Sequence, residues 1–270
     1  MVARKLPAAL RHILNGLPGL AVAFSGGLDS RFLCHAARLC GCEPVALHAQ
    51  GPHMAAAESM AARGWAQTCG LKMLSVPFDP LPLPEVAVNS RERCYACKRG
   101  LIRALRESLR THGLQALPLC DGSNADDTRA FRPGLRALAE AGVRSPLAEA
   151  GLGKAEIHAL AAETGLDRPD QQARPCLLTR LAYGIAPSAS ALASLAAAET
   201  ALMALPGMSA VGDFRLRLTP APVLQLTALP ESLRPRLKSV LDTYGFAGCR
   251  LQTVGQVSGF YDSMMNDGQT

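Results

Sequence analysis

The chain has 270 residues, 49% of them hydrophobic, with a formal net charge of +6 and nine cysteines. That length and apolar content predict one or two domains with well-buried cores. No apolar run approaches the roughly 20 residues that cross a bilayer, which argues against a membrane partner. The basic charge is spread along the chain and aromatic residues make up only 4%, so neither a basic block nor a base-stacking platform for nucleic acid is visible. A phosphorylated small molecule and an incidentally basic surface explain the charge equally well.

The opening stretch MVARKLPAALRHILNGLPGL is interrupted by Arg11, His12, Asn15 and Pro18. It reads as a short amphipathic helix rather than a signal peptide, and the cytoplasm is the expected location. Strands are then predicted at 19–24, 43–49, 71–78 and 114–122, with helical spacing between them over 29–41, 52–70 and 94–113. Such alternation implies parallel strands covered by helices in an open α/β sheet, whose ligands bind where loops leave the carboxyl ends of the strands. A helix is expected over 151–165, then an irregular stretch and an alanine-rich helix over 188–204. The remainder reads as strand, strand, helix, strand. We expect a domain over 1–206 and a small α+β domain over 207–270.

The first predicted strand ends in SGGLDS (25–30). Two adjacent glycines pack nothing and lose backbone entropy on folding, so a compensating role is expected. Between a strand and a helix, Ser25, Gly26 and Gly27 offer free N–H groups at a helix N-terminus, a cradle for phosphate, with hydroxyls from Ser25 and Ser30. No lysine follows as in a GxxxxGK[ST] loop. Among the cysteines, Cys34, Cys40, Cys42, Cys69, Cys120 and Cys249 lie in or beside apolar segments and read as packing thiols. Cys94, Cys97 and Cys176 lie in polar, arginine-rich surroundings. A C-x-x-C pair can also form a redox disulfide or half a zinc site, but no second such pair completes a zinc set.

SGGLDS resembles the pyrophosphate loop of the N-type ATP pyrophosphatases. RERCYACKRG (91–100), the stretch from LCDGSNADD through RPGLRALAEAGVRSPL (119–147), and RPCLLTRLAYG (174–184) together resemble the LarE-type sulfur transferases, over roughly residues 15–205. The resemblance implies an adenine nucleotide α-hydrolase-like fold and an ATP-dependent sulfur transfer. A substrate carboxylate, that of a pyridinium biscarboxylate mononucleotide, would be adenylated with release of pyrophosphate and then converted to a thiocarboxylate for a nickel-pincer nucleotide.

By position, Ser25, Gly26, Gly27, Asp29 and Ser30 would hold pyrophosphate, with Gly122 and Asn124 beside them. Asp121, Asp126 and Asp127 would suit Mg2+, although an Asx-capped turn also explains DGSNADD. Arg129, Arg132, Arg144 and Arg180 would neutralise phosphates, or form ordinary ion pairs. The catalytic set implied is Cys176, Asp29 and Arg180. Cys176 either yields its own sulfur or joins Cys94 and Cys97 in holding a [4Fe-4S] cluster whose open iron takes sulfide from a donor.

A homo-oligomer is expected from the resemblance alone. The chain departs from the family pattern at Pro175, at Leu181-Ala182, in the TPAP that follows FRLRL, and in its last segment, VSGFYDSMMN. Two rivals remain: a tRNA-thiolating enzyme of the same superfamily, and a non-enzymatic sensor that binds ATP and a cluster.

Overall fold

The structure, a computed structural model, describes residues 2–127, 133–171, 175–219, 221–257 and residue 261. Two compact units are present: one comprises 1–51, 57–80 and 92–174, the other 52–56, 81–91 and 175–270.

The first unit is built on four parallel strands, β1 (Leu20–Ala23), β2 (Pro44–Gln50), β3 (Met73–Pro77) and β4 (Leu119–Asp121), in the order β3-β2-β1-β4. All four predicted strands are present. The fourth is shorter than expected because Leu114–Pro118 belongs to the turn before it, with the Leu114 and Leu117 amides bonded to carbonyls of Leu109 and Leu114.

Side chains on β1 alternate between two cores, as a period of two requires. Leu20 and Val22 join one apolar cluster with Leu10, Phe32, Trp65 and Ile157; Ala21 joins another with Leu105, Leu119 and Leu138. The first cluster is covered by α1 (Ala8–Asn15), α2 (Leu28–Leu39), α3 (Ala56–Thr68) and α8 (Lys154–Thr164). The second is covered by α5 (Arg93–Thr111) and α6 (Pro133–Glu140). Two short helices, α4 (Pro84–Ala87) and α7 (Pro146–Glu149), had no sequence signal strong enough to predict, nor did α6. Because β2 and β3 extend the sheet to one side of β1 and β4 to the other, the chain reverses its winding between β1 and β4. That reversal opens a crevice at their carboxyl ends.

The second unit holds α9 (Ala189–Met203), α10 (Arg234–Thr243) and a three-stranded sheet of β5 (Phe214–Arg217), β6 (Val223–Leu226) and β7 (Arg250–Thr253). β5 is antiparallel and β7 parallel to β6. The strand, strand, helix, strand order matches the expectation. Residues 175–206, which the sequence reading attaches to the first domain, lie in this second unit.

Candidate functional site

Loops from β1 and β4 meet at the winding reversal. Gly26 has φ +80°, and a Cβ there would stand 2.6 Å from Cβ of Ala62, so both its conformation and α3 require glycine. A Cβ on Gly122 would come within 2.9 Å of the Ser30 amide nitrogen. The two loops therefore touch backbone to backbone, and only glycine at 122 permits it. Ser25 Oγ accepts the Gly27 N–H (3.2 Å), and Ser30 Oγ lies 3.2 Å from Ser25 Oγ while donating to the Gly27 carbonyl. These bonds fix the loop before any ligand arrives.

The carboxylates of DGSNADD (121–127) differ in their occupations. Asp121 is buried and accepts from the Ser123 amide and from the hydroxyls of Ser123 and Ser145, both at 2.7 Å. Asp126 accepts the Lys154 N–H at 2.7 Å, capping α8. Both thus serve the loop's own architecture. Buried Asn124 is the hub: its Oδ1 accepts the amides of Asp126 and Asp127, and its Nδ2 donates to Asp29 at 3.2 Å. Burial pushes the Asp29 carboxyl above its ordinary value, against the hydrogen bond from Asn124, and the neighbouring Asp127 charge adds to the rise. Asp29 and Asp127 both face a cleft of about 260 Å³. Two carboxylates facing one polar cleft suit a hard divalent cation shared with phosphate oxygens.

Lys98 of α5 and Lys154 of α8 line the same cleft. The glycine loop lacks a lysine of its own, but the fold brings two from elsewhere. Sequence reasoning missed both, although Lys98 closes the quoted RCYACK motif. Gln171 was also missed; it lines the cleft and its side-chain amide donates to the Gly26 carbonyl at 3.3 Å. Arg144 is paired with Glu149, which raises its affinity for the proton. Arg129 and Arg132 lie outside the described residues.

Cys94 is exposed and Cys97 half-buried, one turn apart at the start of α5. Tyr95 between them is covered by the Arg136 guanidinium, 4.0 Å from the ring centroid, and its hydroxyl donates to Glu140. The packing thiols behave as expected: burial pushes Cys120 up to about 12 and Cys249 up to about 11, and Cys34 higher still.

In the second unit, Cys176 is half-buried and precedes a 3-10 turn, Leu177–Arg180. Its thiol and the Leu177 amide both point to the His53 carbonyl, at 3.5 and 3.0 Å, while its own carbonyl accepts from the amide and hydroxyl of Thr179. Arg180 is 1% exposed. Its guanidinium makes a bidentate pair with buried Glu199, at 2.9 and 2.8 Å, and also donates to the Pro175 carbonyl and the Thr179 hydroxyl. Arg180 thus holds the Cys176 turn in shape.

Arg217 lies beside it, donating to the carbonyls of Thr179 and Val257 and to Gln225 Oε1. Burial pulls its pKa down to about 10, opposed by Tyr261 and helped by the charges of Arg180 and Arg215. Glu199 and Arg217 were not singled out from the sequence. The only available sign was FRLR, two arginines on one face of a short strand that proves buried throughout. Among the described residues, no group of three or more His, Cys, Asp or Glu side chains is drawn together as metal ligands.

A parallel sheet with a glycine loop at its winding reversal defines a protein of the α/β nucleotide-binding fold class. No model of a protein family matches the chain. It is 31% identical over 200 residues, 73% of this chain and 72% of the other, to the pyridinium-3,5-bisthiocarboxylic acid mononucleotide synthase of Lactiplantibacillus plantarum. It is 35% identical over 176 residues to an uncharacterised protein of Synechocystis, the match spanning 65% of each chain, just under two thirds of that relative. A third similarity, 31% over 112 residues, covers 42% of this chain and 43% of an uncharacterised protein of Methanocaldococcus jannaschii. The chain belongs to the family of the bisthiocarboxylic acid mononucleotide synthase, the LarE family.

Proposed function

We propose that the chain is an ATP-dependent sulfur transferase acting on the carboxylate of a pyridinium mononucleotide, in nickel-pincer cofactor synthesis. The observation that carries this reading is the cleft at the reversal between β1 and β4, where the SGGLDS loop, Lys98 and Lys154 face one space. The relative's name, a synthase of a bisthiocarboxylic acid mononucleotide, supports the product class.

The loop amides and serine hydroxyls would bind the β,γ-pyrophosphate of ATP, and the two lysines would offset its charge as it leaves. The substrate carboxylate oxygen forms a bond to the α-phosphorus while the bond to the bridging oxygen breaks, giving an acyl-adenylate and pyrophosphate. Sulfide as the nucleophile then adds to the acyl carbon, and AMP departs with the electron pair of the C–O bond, leaving a thiocarboxylate. The Cys176 thiolate in that role would leave a thioester, and loss of its α-proton with cleavage of its Cβ–S bond would free the thiocarboxylate and leave dehydroalanine. Asp29 and Asp127 are the residues that would hold Mg2+, which would supply charge neutralisation on the phosphates. Cys176 is the proposed sulfur-bearing residue. The [4Fe-4S] cluster on Cys94, Cys97 and Cys176 rests on the sequence alone; it would supply an open iron for sulfide.

The test is to incubate anaerobically purified protein with ATP and the biscarboxylate mononucleotide. Pyrophosphate and AMP should appear in equal amounts with a thiocarboxylate product. ATP binding without pyrophosphate release would overturn the reading. Iron and acid-labile sulfide, measured beside Cys176→Ala, separate the two sulfur sources: iron lost in the variant points to the cluster, and iron-free active protein points to sulfur taken from Cys176.

A further inference from the structure

A second and larger cavity, about 680 Å³, lies in the first unit between the C-terminal halves of α2 and α3 and the segment that follows α8. Its volume is within the range of small-molecule sites, and its walls combine Leu39, Leu71, Leu166 and Trp65 with two arginine–carboxylate pairs, Arg38 with Glu43 and Arg168 with Asp167. Arg168 has φ +44°, a left-handed conformation that non-glycine residues adopt at a cost. Its Nε donates to Asp167 at 3.1 Å, and among the described residues its two terminal nitrogens have no partner. A guanidinium held in strained backbone at the edge of an apolar-walled cavity is suited to a phosphate oxygen pair.

The same segment reaches the glycine loop. Buried Arg31, on the second turn of the helix that SGGLDS opens, donates to the Asp167 carbonyl and carboxylate and to the Arg168 carbonyl. Trp65 Nε1 donates to the same carboxylate at 2.6 Å. Three residues beyond Arg168, Gln171 returns its amide N–H to the Arg168 carbonyl and its side chain to Gly26. An anion drawn to Arg168 competes with Asp167 for that guanidinium. Asp167 also anchors Arg31 and Trp65, so the competition bears on the strap that ends at the pyrophosphate loop.

We propose that this cavity is an effector site for a small organic phosphate with a planar body, and that residues 167–171 transmit its occupancy to the glycine loop. The site itself does not depend on the sulfur-transfer reading; the transmission rests on the neighbouring cleft being the ATP site.

The probe is radiolabelled AMP, with α,β-methylene-ATP in excess to fill the glycine-loop cleft. Wild-type protein should retain about one equivalent of competitor-resistant AMP per chain. Arg168→Ala should lose it, and so should Cys69→Phe, which fills the cavity from its other wall. Occupancy should shift the analogue's affinity by about five-fold or more, in keeping with ordinary coupling energies. Gln171→Ala should keep the AMP and lose that shift. Absence of competitor-resistant AMP in the wild type, or its persistence in both cavity variants, overturns the site. Binding without any shift in the wild type overturns the transmission. Failure of the analogue to bind at all would strike the ATP reading of the cleft, while the two cavity variants would still decide the effector site.

Discussion

The two units place their chemistry in opposite ways. In the first, an apolar sheet ends in loops whose backbone and short side chains face a cleft, and the carboxylates either cap the loops or point into open space. In the second, charge lies inside the core: Arg180, Glu199, Arg215 and Arg217 are each at most 7% exposed among buried leucines such as Leu195, Leu216 and Leu224. A loop site tolerates change in its ligands' neighbours and fails in function. A charged core fails in folding first, because removing one member strands the others away from water.

The sharpest break of that contrast is Glu199→Ala. It leaves the Arg180 guanidinium and the Leu216 amide without their carboxylate, and should cost about 3–5 kcal/mol in a denaturant titration. A change below about 1 kcal/mol would mean that the buried network does not hold the second unit together. Gly122→Ala should behave in the other manner. Its added Cβ meets the Ser30 backbone, so the glycine loop must shift. ATP affinity, read by calorimetry, should fall by about ten-fold or more, the scale of one charge-assisted bond lost, with a smaller loss of stability.

Much of the first unit was legible because its signals are local. Alternating apolar runs predicted β1 to β3 nearly to the residue, and SGGLDS announced its loop. What escaped was long-range. Lys98 and Lys154 come to the cleft from α5 and α8, and nothing in the glycine loop says that they will. Asp121 and Asp126 look like Asp127 in sequence, yet hydrogen bonds to Ser145 and to the Lys154 amide give them other work. In the second unit, Arg180 read as a phosphate ligand because an arginine's partner, here nineteen residues on, is invisible until the chain folds.

A smaller effect sharpens the same comparison at Asp29. Its folded pKa lies above the ordinary 3.8, first through burial. The stability it contributes is therefore present below about pH 3.8 and is lost as pH rises through the raised folded value; at neutral pH the ionised group is a cost. Asp29→Asn should raise the urea midpoint of ligand-free, chelator-treated protein at pH 7 and leave it unchanged at pH 3. The same variant should weaken Mg-ATP binding and pyrophosphate release. Lower stability at pH 7 would show that the Asn124 bond outweighs desolvation.

The smallest effect is chemical rather than energetic, and it asks whether the sequence's division of the cysteines reflects their reactivity. Thiolate supply and access set the rate of alkylation. Cys34 and Cys120 have neither: both are fully buried, and burial raises their pKa by disfavouring the charged form. Cys94, exposed at the start of a helix, should react first with iodoacetamide at pH 8, followed by half-buried Cys97 and Cys176. Peptide mapping over time reads the order directly. Modification of Cys34 or Cys120 at the rate of Cys94 would mean that the sheet's apolar face opens on the timescale of the reaction, and the first unit would then be the less rigid of the two.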